Sequence, residues 1–132
     1  MHIKHLSLTD FRNYRHLELE FPPHPVVLQG DNAQGKTNLL EAIWVLATTK
    51  SYRTANETEL INKAAASAEP LPVTRLFTEV QRLKDSVRVE VALRLDKRSE
   101  SPTSGKASGV RKRIRVNGVV RRATDVIGKV NA

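Results

Sequence analysis

Residues 26–43 read Val26-Val27-Leu28-Gln29-Gly30-Asp31-Asn32-Ala33-Gln34-Gly35-Lys36-Thr37-Asn38-Leu39-Leu40-Glu41-Ala42-Ile43. The short apolar run at residues 26–28 is typical of a strand that is covered on both faces. It leads directly into a glycine-bounded loop at residues 30–37. From residue 35 to about residue 49 strong helix formers follow, and their apolar members recur at three and four positions. This order of strand, loop and helix predicts an α/β unit.

The loop matches the pattern G-x-x-x-x-G-K-[ST] at every fixed position. Gly30 and Gly35 permit backbone angles and a close approach that a Cβ would block. The loop amides can then donate to phosphate oxygens, helped by the positive end of the helix. Lys36 can reach the β- and γ-phosphates, and the Thr37 hydroxyl can bind Mg²⁺. The predicted ATP-binding residues are Gly30, Asp31, Asn32, Ala33, Gln34, Gly35, Lys36 and Thr37, with Thr37 as the magnesium ligand.

Hydrolysis of ATP needs more than this loop. An acidic residue at the end of another strand must help to hold Mg²⁺, and a further group must orient the attacking water. No run of four apolar residues ends in Asp or Glu, and the nearest candidate, residues 93–96, is interrupted by Arg94. We therefore predict no catalytic residue here and expect this chain alone to bind ATP without hydrolysing it.

The flanking sequence predicts several antiparallel strands. Leu17, Leu19 and Phe21 alternate with polar residues, which indicates a half-buried strand, and residues 3–11 are a plausible partner. Alternation at residues 87–95 predicts a second strand that pairs with a less regular one at residues 74–83.

Further along the chain, residues 111–116 alternate basic and apolar side chains, and Asn117-Gly118 is a favoured hairpin turn. We expect loops at residues 64–72 and 97–109, and a short helix from Thr124. Two parts are predicted: a P-loop nucleotide-binding part, residues 1–63, and a basic antiparallel β part, residues 64–132.

The charge is uneven. The net charge is +8, yet residues 1–62 hold six Lys or Arg against seven Asp or Glu, so the whole excess lies in the second half. A basic face can bind a polyanion or can simply be solvated. We weigh DNA-backbone contact slightly above the solvated alternative, and base stacking is not indicated because no aromatic residue is interleaved. The candidate DNA-binding residues are Arg111, Lys112, Arg113, Arg115, Arg121 and Arg122.

Other function classes find little support in the sequence. There is no cysteine, hence no thiolate metal site, and the four histidines lack ligand spacing. The longest apolar run, residues 42–47, is far below the roughly 20 residues that span a membrane. No secretory signal is apparent, so a cytoplasmic location without membrane association is expected.

Several segments resemble the RecF family within the ABC-type ATPases of DNA repair. They are Leu8–Tyr14 in the form Leu-x-x-Phe-Arg-Asn-Tyr, the loop and helix at residues 30–42, residues 49–54 with 59–61, residues 113–118 and residues 125–132. The resemblance covers nearly the whole chain, with weakly matching loops at residues 64–69 and 99–109.

This resemblance implies a fold and a biology. The fold would be the N-terminal lobe of a P-loop ABC-type ATPase, with a mixed sheet plus P-loop helix and an adjoining antiparallel β lobe. RecF proteins bind ATP, dimerise on it, and bind duplex DNA near single-strand gaps. With RecR and RecO they help to load RecA in DNA replication, repair and the SOS response. Arg12 and Asn13 would lie beside the nucleotide.

Two alternatives stay open at this point. A small P-loop kinase would use Lys36 to activate a phosphoryl donor, and a nucleotide-binding module would sense ATP without turnover. RecF proteins extend well beyond this length, so the signature segment, the Walker B acidic pair and the distal histidine would follow residue 132. Reading the coding sequence past residue 132 would show whether it continues into them.

Overall fold

The computed structural model describes residues 2–24, 34–68, 72–95 and 110–122. Six strands form one sheet in the order β2-β1-β3-β4-β5-β6, and each neighbouring pair is antiparallel. The elements in chain order are β1 His2–Phe11, β2 Tyr14–Glu20, α1 Gln34–Thr48, a 3₁₀ turn at Glu57–Leu60, α2 Lys63–Ala68, β3 Val73–Gln81, β4 Ser86–Leu95, β5 Val110–Val116 and β6 Val119–Arg121. The α/β class is confirmed, and the strand expected at residues 26–28 lies outside the described part.

Three predicted hairpins are confirmed. β1 and β2 join through the turn at Arg12 and Asn13, β3 pairs with β4, and β5 pairs with β6. The last turn has positive φ at both Asn117 (52°) and Gly118 (82°). Such angles favour asparagine and glycine, and they match the twist of the flanking strands.

The two predicted parts of the chain share this sheet. β1 pairs with β2 on one side and with β3 on the other, so strands from either side of residue 63 are neighbours. The register between β1 and β3 shifts between Ile3 and His5. The basic second half therefore continues the sheet that begins at the N-terminus.

Helix α1 packs on one face of the sheet and completes the core. Leu39, Ala42, Val45 and Leu46 point from the helix onto the inward residues of the central strands. Those inward residues are Leu6, Leu8, Leu76, Val80, Val87, Val89, Val91 and Leu93, all at most 1% exposed. Each such side chain stabilises the fold by about 1.5–3 kcal/mol relative to full exposure.

The buried residues of α1 are not all members of the apolar repeat that predicted the helix. Leu40 is 54% exposed, whereas Asn38 and Glu41 are buried. The helix turns this polar pair inward because both side chains have hydrogen-bond partners there.

The prediction of a loop at residues 64–72 is wrong for residues 64–68, which belong to α2. Asn62 begins this short helix, since its side-chain Oδ1 accepts from the Ala65 amide at 3.0 Å and its carbonyl from the Ala66 amide at 2.9 Å. A capping side chain of this kind satisfies amides that have no partner within the helix. The loop expected at residues 97–109 and the helix from Thr124 fall outside the described residues. None of the helices in the described ranges has the length and apolar character that a membrane span requires.

Candidate nucleotide-binding site

The described part of the predicted loop is the start of α1. The helix begins at Gln34, so Gly35, Lys36 and Thr37 lie in its first turn. Lys36 is half-buried and Thr37 is exposed, which leaves the Thr37 hydroxyl open to a ligand. Residues 30–33 lie outside the described part of the chain. A helix that begins at this loop presents its amides and its positive end to the loop, which suits a phosphate group.

One buried carboxylate joins the first hairpin to this helix. Glu41 has a fully buried side chain, and Arg12 in the β1–β2 turn donates to it through two nitrogens. Arg12 Nε lies 2.7 Å from Glu41 Oε1, and Arg12 Nη2 lies 2.9 Å from Oε2. A two-point pair of this kind fixes the plane of the guanidinium as well as its distance.

The segment after α1 adds two donors to the same carboxylate. The Ser51 hydroxyl donates to Glu41 Oε2 at 2.6 Å, and Arg53 Nη1 lies 3.4 Å from Oε1. Both carboxylate oxygens thus have more than one partner, as a buried charge requires.

A hydrogen bond between two asparagine side chains joins the same hairpin turn to α1 beside the ion pair. Asn38 Nδ2 donates to Asn13 Oδ1 at 2.7 Å, and Asn38 Oδ1 accepts from Arg53 Nη1 at 2.7 Å. Asn38 and Glu41 are three residues apart and therefore lie on one face of α1. Together they bind both residues of the hairpin turn, Arg12 and Asn13, to the helix directly after Thr37.

The backbone of the turn is held in an unusual conformation. Arg12 has φ 52°, in the left-handed region that a side chain makes costly. Its amide donates to the Leu60 carbonyl at 2.8 Å, and its carbonyl accepts from Asn62 Nδ2 at 2.7 Å. Asp10, two residues earlier, also has positive φ (53°). Strained residues persist where the surrounding contacts over-determine them, and they concentrate at functional sites.

The electrostatics favour the charged form of Glu41. Burial acts to raise its pKa, but hydrogen bonds from Arg12 and Ser51 and the positive charges of Arg12 and Arg53 outweigh it. The net effect lowers the pKa of Glu41 below its usual value of 4.5. The hydrogen bond that Arg12 donates to Glu41 in turn raises the pKa of Arg12. Both groups are therefore ionised at neutral pH.

The structure thus brings Arg12 and Asn13 beside the second turn of α1, directly after Thr37. Sequence reasoning missed four residues of the network around them, namely Asn38, Glu41, Ser51 and Arg53. A signal for two of them was available, because Asn38 and Glu41 are spaced with the buried Val45 on one stripe of the helix. No comparable pattern marks Ser51 and Arg53, whose position depends on how the chain turns after α1.

The candidate DNA-binding residues are divided between the two faces of the sheet. The inward side of β5 carries the buried Ile114 and Val116, so Arg111, Arg113 and Arg115 lie on the outer side. Arg121 pairs with Ile114 in the ladder and is therefore on the inward side.

Lys112 also lies on the inward side, where it contacts the end of α1. Its Nζ donates to the Thr49 carbonyl at 2.7 Å and forms an ion pair with Glu57. Thr49 has φ 69° and ends the helix in the left-handed conformation common at C-termini.

Neighbouring strands add two arginines to the outer side that the sequence analysis did not include. The register places Arg75 of β3 and Arg113 of β5 on either side of Ala92, and it pairs Arg94 with Arg111. We name the set Arg75, Arg94, Arg111, Arg113 and Arg115 the basic face. It surrounds a depression of about 370 Å³ with Ala92 and Glu90 in its lining.

Comparison with known proteins identifies the family. Residues 2–117 match the RecF/RecN/SMC N terminal domain. The chain belongs to this family. It is 40% identical over 131 residues to the DNA replication and repair protein RecF of Chloroflexus aurantiacus, covering 98% of this chain and 33% of that protein. It is also 40% identical over 132 residues to RecF of Halalkalibacterium halodurans, covering 99% of this chain and 30% of the relative.

A solved structure supports the same assignment. The recombination mediator protein RecF-ATP of the RecFOR pathway superposes with a TM-score of 0.70 at 25% identity, covering 97% of this chain and 30% of that one. The expected resemblance to RecF is therefore confirmed. The chain spans about a third of the length of the RecF relatives that it matches.

Proposed function

We propose that this chain is the nucleotide-binding part of a RecF-type DNA-repair protein, and that residues 30–37 bind ATP with Mg²⁺. The observation that carries the proposal is the attachment of Arg12 and Asn13 to α1 directly after Thr37. This arrangement supplies a guanidinium and an amide group near the N-terminal end of α1, which begins within the P-loop pattern. The similarity to RecF-ATP supports the choice of nucleotide.

The residues present suit a magnesium nucleotide. Lys36 would neutralise charge on the β- and γ-phosphates, and the exposed Thr37 hydroxyl would contribute an oxygen ligand to Mg²⁺. Bound Mg²⁺ would offset the negative charge of the phosphates. Arg12 and Asn13 would bind the nucleotide from the side of the hairpin turn.

Lys36→Ala tests this site. We expect the affinity for MgATP, measured by calorimetry, to fall at least about tenfold, since a phosphate-binding charge is lost. Far-UV circular dichroism should stay unchanged because Lys36 lies at the start of α1, outside the core. Lys50→Ala, an exposed lysine beyond the other end of the helix, is the matched control and should bind as the wild type does. Equal affinity in Lys36→Ala and wild type would refute the assignment.

We propose further that the whole protein acts in the cytoplasm on DNA at single-strand gaps. ATP-dependent homodimerisation and RecR- and RecO-type partners that help to load RecA belong to the same proposal. The similarity to a mediator of the RecFOR pathway supports it. ATPase activity stimulated by DNA is expected. Stimulation of ATP turnover by a small acceptor molecule would instead favour a P-loop kinase. ATP binding without turnover, in the presence of DNA or of the acceptor, would favour a sensor module.

The basic face is our proposed site for the DNA backbone. The charges of five arginines converge there from three strands, and within the described residues Arg75, Arg94, Arg113 and Arg115 form no salt bridge. Unneutralised arginines on an open surface are suited to phosphate contact, which carries no sequence information by itself. Of the residues that sequence reasoning selected, this site keeps Arg111, Arg113 and Arg115.

A further inference from the structure

The Glu41 network contains a buried charge whose role the proposed function does not use. Glu41 is a fully buried carboxylate on α1, and a hydrophobic residue there would extend the helix core beside Ala42 and Val45. Replacement of a buried ion pair by well-packed apolar residues is often neutral or stabilising. Fold stability alone therefore gives no strong reason for a carboxylate at this position.

The geometry shows what the carboxylate holds in place. Arg12 Nε and Arg53 Nη1 both contact Glu41 Oε1, at 2.7 and 3.4 Å, so they lie no more than about 6 Å apart. Two guanidinium groups this close repel each other unless an anion lies between them. Without Glu41 the cations would separate, and Arg12 would lose the two-point contact that sets its plane.

The strained backbone makes this dependence stronger. A left-handed φ at Arg12 is costly, and its side-chain contacts to α1 help to keep the turn in that conformation. Because the Nε and Nη2 nitrogens face Glu41, the guanidinium would present its Nη1 edge to a ligand. The direction of that edge is set by the carboxylate.

We propose that Glu41 is a positioning residue of the nucleotide site, which acts by holding Arg12 and its turn against the second turn of α1. Asn38 assists by holding Asn13. This inference rests on the proposed function, since it assumes that Arg12 and Asn13 meet the nucleotide. Glu41 itself makes no contact with the ligand, and its effect passes through Arg12.

A double-mutant cycle in the full chain tests the role. Glu41→Gln keeps the size of the side chain but removes the charge and replaces one acceptor oxygen with a donor. We expect MgATP affinity to fall about tenfold in Glu41→Gln and by a similar factor in Arg12→Ala. The double variant should bind about as weakly as Arg12→Ala alone, because residues that act as one unit show non-additive effects. Glu57→Gln, which removes the carboxylate of a different ion pair, that with Lys112, is the matched control and should keep wild-type affinity.

The possible outcomes separate the two proposals. The positioning role would be overturned by wild-type affinity in Glu41→Gln, or by losses of affinity that multiply in the double variant. In either case, a loss of MgATP affinity in Lys36→Ala would still support the nucleotide site. Wild-type affinity in Lys36→Ala would overturn both. Should Glu41→Gln fail to fold, Glu41→Asp keeps the charge but shortens the side chain by one methylene, so that the two-point contact with Arg12 is lost. Unchanged MgATP affinity in that folded variant would likewise overturn the role.

Discussion

Glu41 illustrates how a single residue responds to its surroundings. The folded state lowers its pKa below 4.5, since the arginines and Ser51 outweigh the effect of burial. A carboxylate with a lowered pKa stabilises the fold above its unfolded-state pKa, and that stabilisation is lost as the pH falls through the folded-state value. The stability of this protein should therefore decline on acidification, with Glu41 as one of the causes.

Glu41→Gln should reduce this acid sensitivity. The difference in the free energy of unfolding between pH 7 and pH 4, from urea titrations, should be smaller in the variant than in wild type. Glu20→Gln, at an exposed position on β2, removes the same charge and is the control. An equal or larger acid-induced loss in Glu41→Gln would contradict the ionised state assigned to this residue. At pH 7 the variant should be the less stable protein, because Arg12 remains partly buried beside a neutral group.

At the scale of elements, α1 is attached to its neighbours at both ends. Its first turns bind the β1–β2 hairpin through Asn38 and Glu41, and the residue after its end binds β5 through Lys112. The Thr49 carbonyl that Lys112 reaches belongs to a residue that is 1% exposed. Loss of Lys112 would therefore leave a buried acceptor without its charged donor.

Lys112→Met should destabilise the fold by about 2 kcal/mol, since a hydrogen bond from a charged group and an ion pair are lost while the side-chain stem remains. Urea-induced unfolding followed by tryptophan fluorescence of Trp44 measures this. Lys50→Met, at an exposed position next to Thr49, should stay within about 0.5 kcal/mol of wild type. Equal stability of the two variants would show that the contact between Lys112 and the helix end contributes nothing.

At the scale of the whole molecule, one face of the sheet is covered by α1 and the other carries the basic face. If this face binds the DNA backbone, duplex affinity should fall steeply with salt, by a slope of about 0.9 in log–log terms per neutralised phosphate. Arg75→Gln with Arg113→Gln should flatten that slope by nearly two units, measured by fluorescence anisotropy from 50 to 200 mM salt. The two residues come from β3 and β5 and meet across Ala92.

A double variant elsewhere is the control for that measurement. Lys63→Gln with Lys84→Gln removes the same charge from exposed positions on α2 and in the β3–β4 turn, and should leave the slope nearly as it is. A basic face that serves only to solvate the protein predicts equal slopes in both double variants. A salt-independent affinity would exclude backbone contact altogether.

Much of the local structure follows from sequence alone. Alternating apolar residues predict β4, and Asn117-Gly118 predicts the last hairpin, because side-chain period and turn angles are local properties. The helix after the P-loop pattern is likewise predictable from its composition, and its observed start at Gln34 agrees. The family resemblance was also readable, since its motifs are contiguous in the chain.

Contacts between segments that are distant in the chain depend on the three-dimensional fold. Glu41 lies 29 residues from Arg12, and sequence spacing says nothing about an ion pair between them. Strand register likewise divided the basic residues, turning Lys112 inward and bringing Arg75 beside Arg113 across Ala92. Helix and strand patterns depend on residues a few positions apart, whereas the partner of a buried charge depends on where the chain returns in space. The sequence therefore predicted the elements and the nucleotide motif, and only the packing of α1 on the sheet determined the network that holds the site.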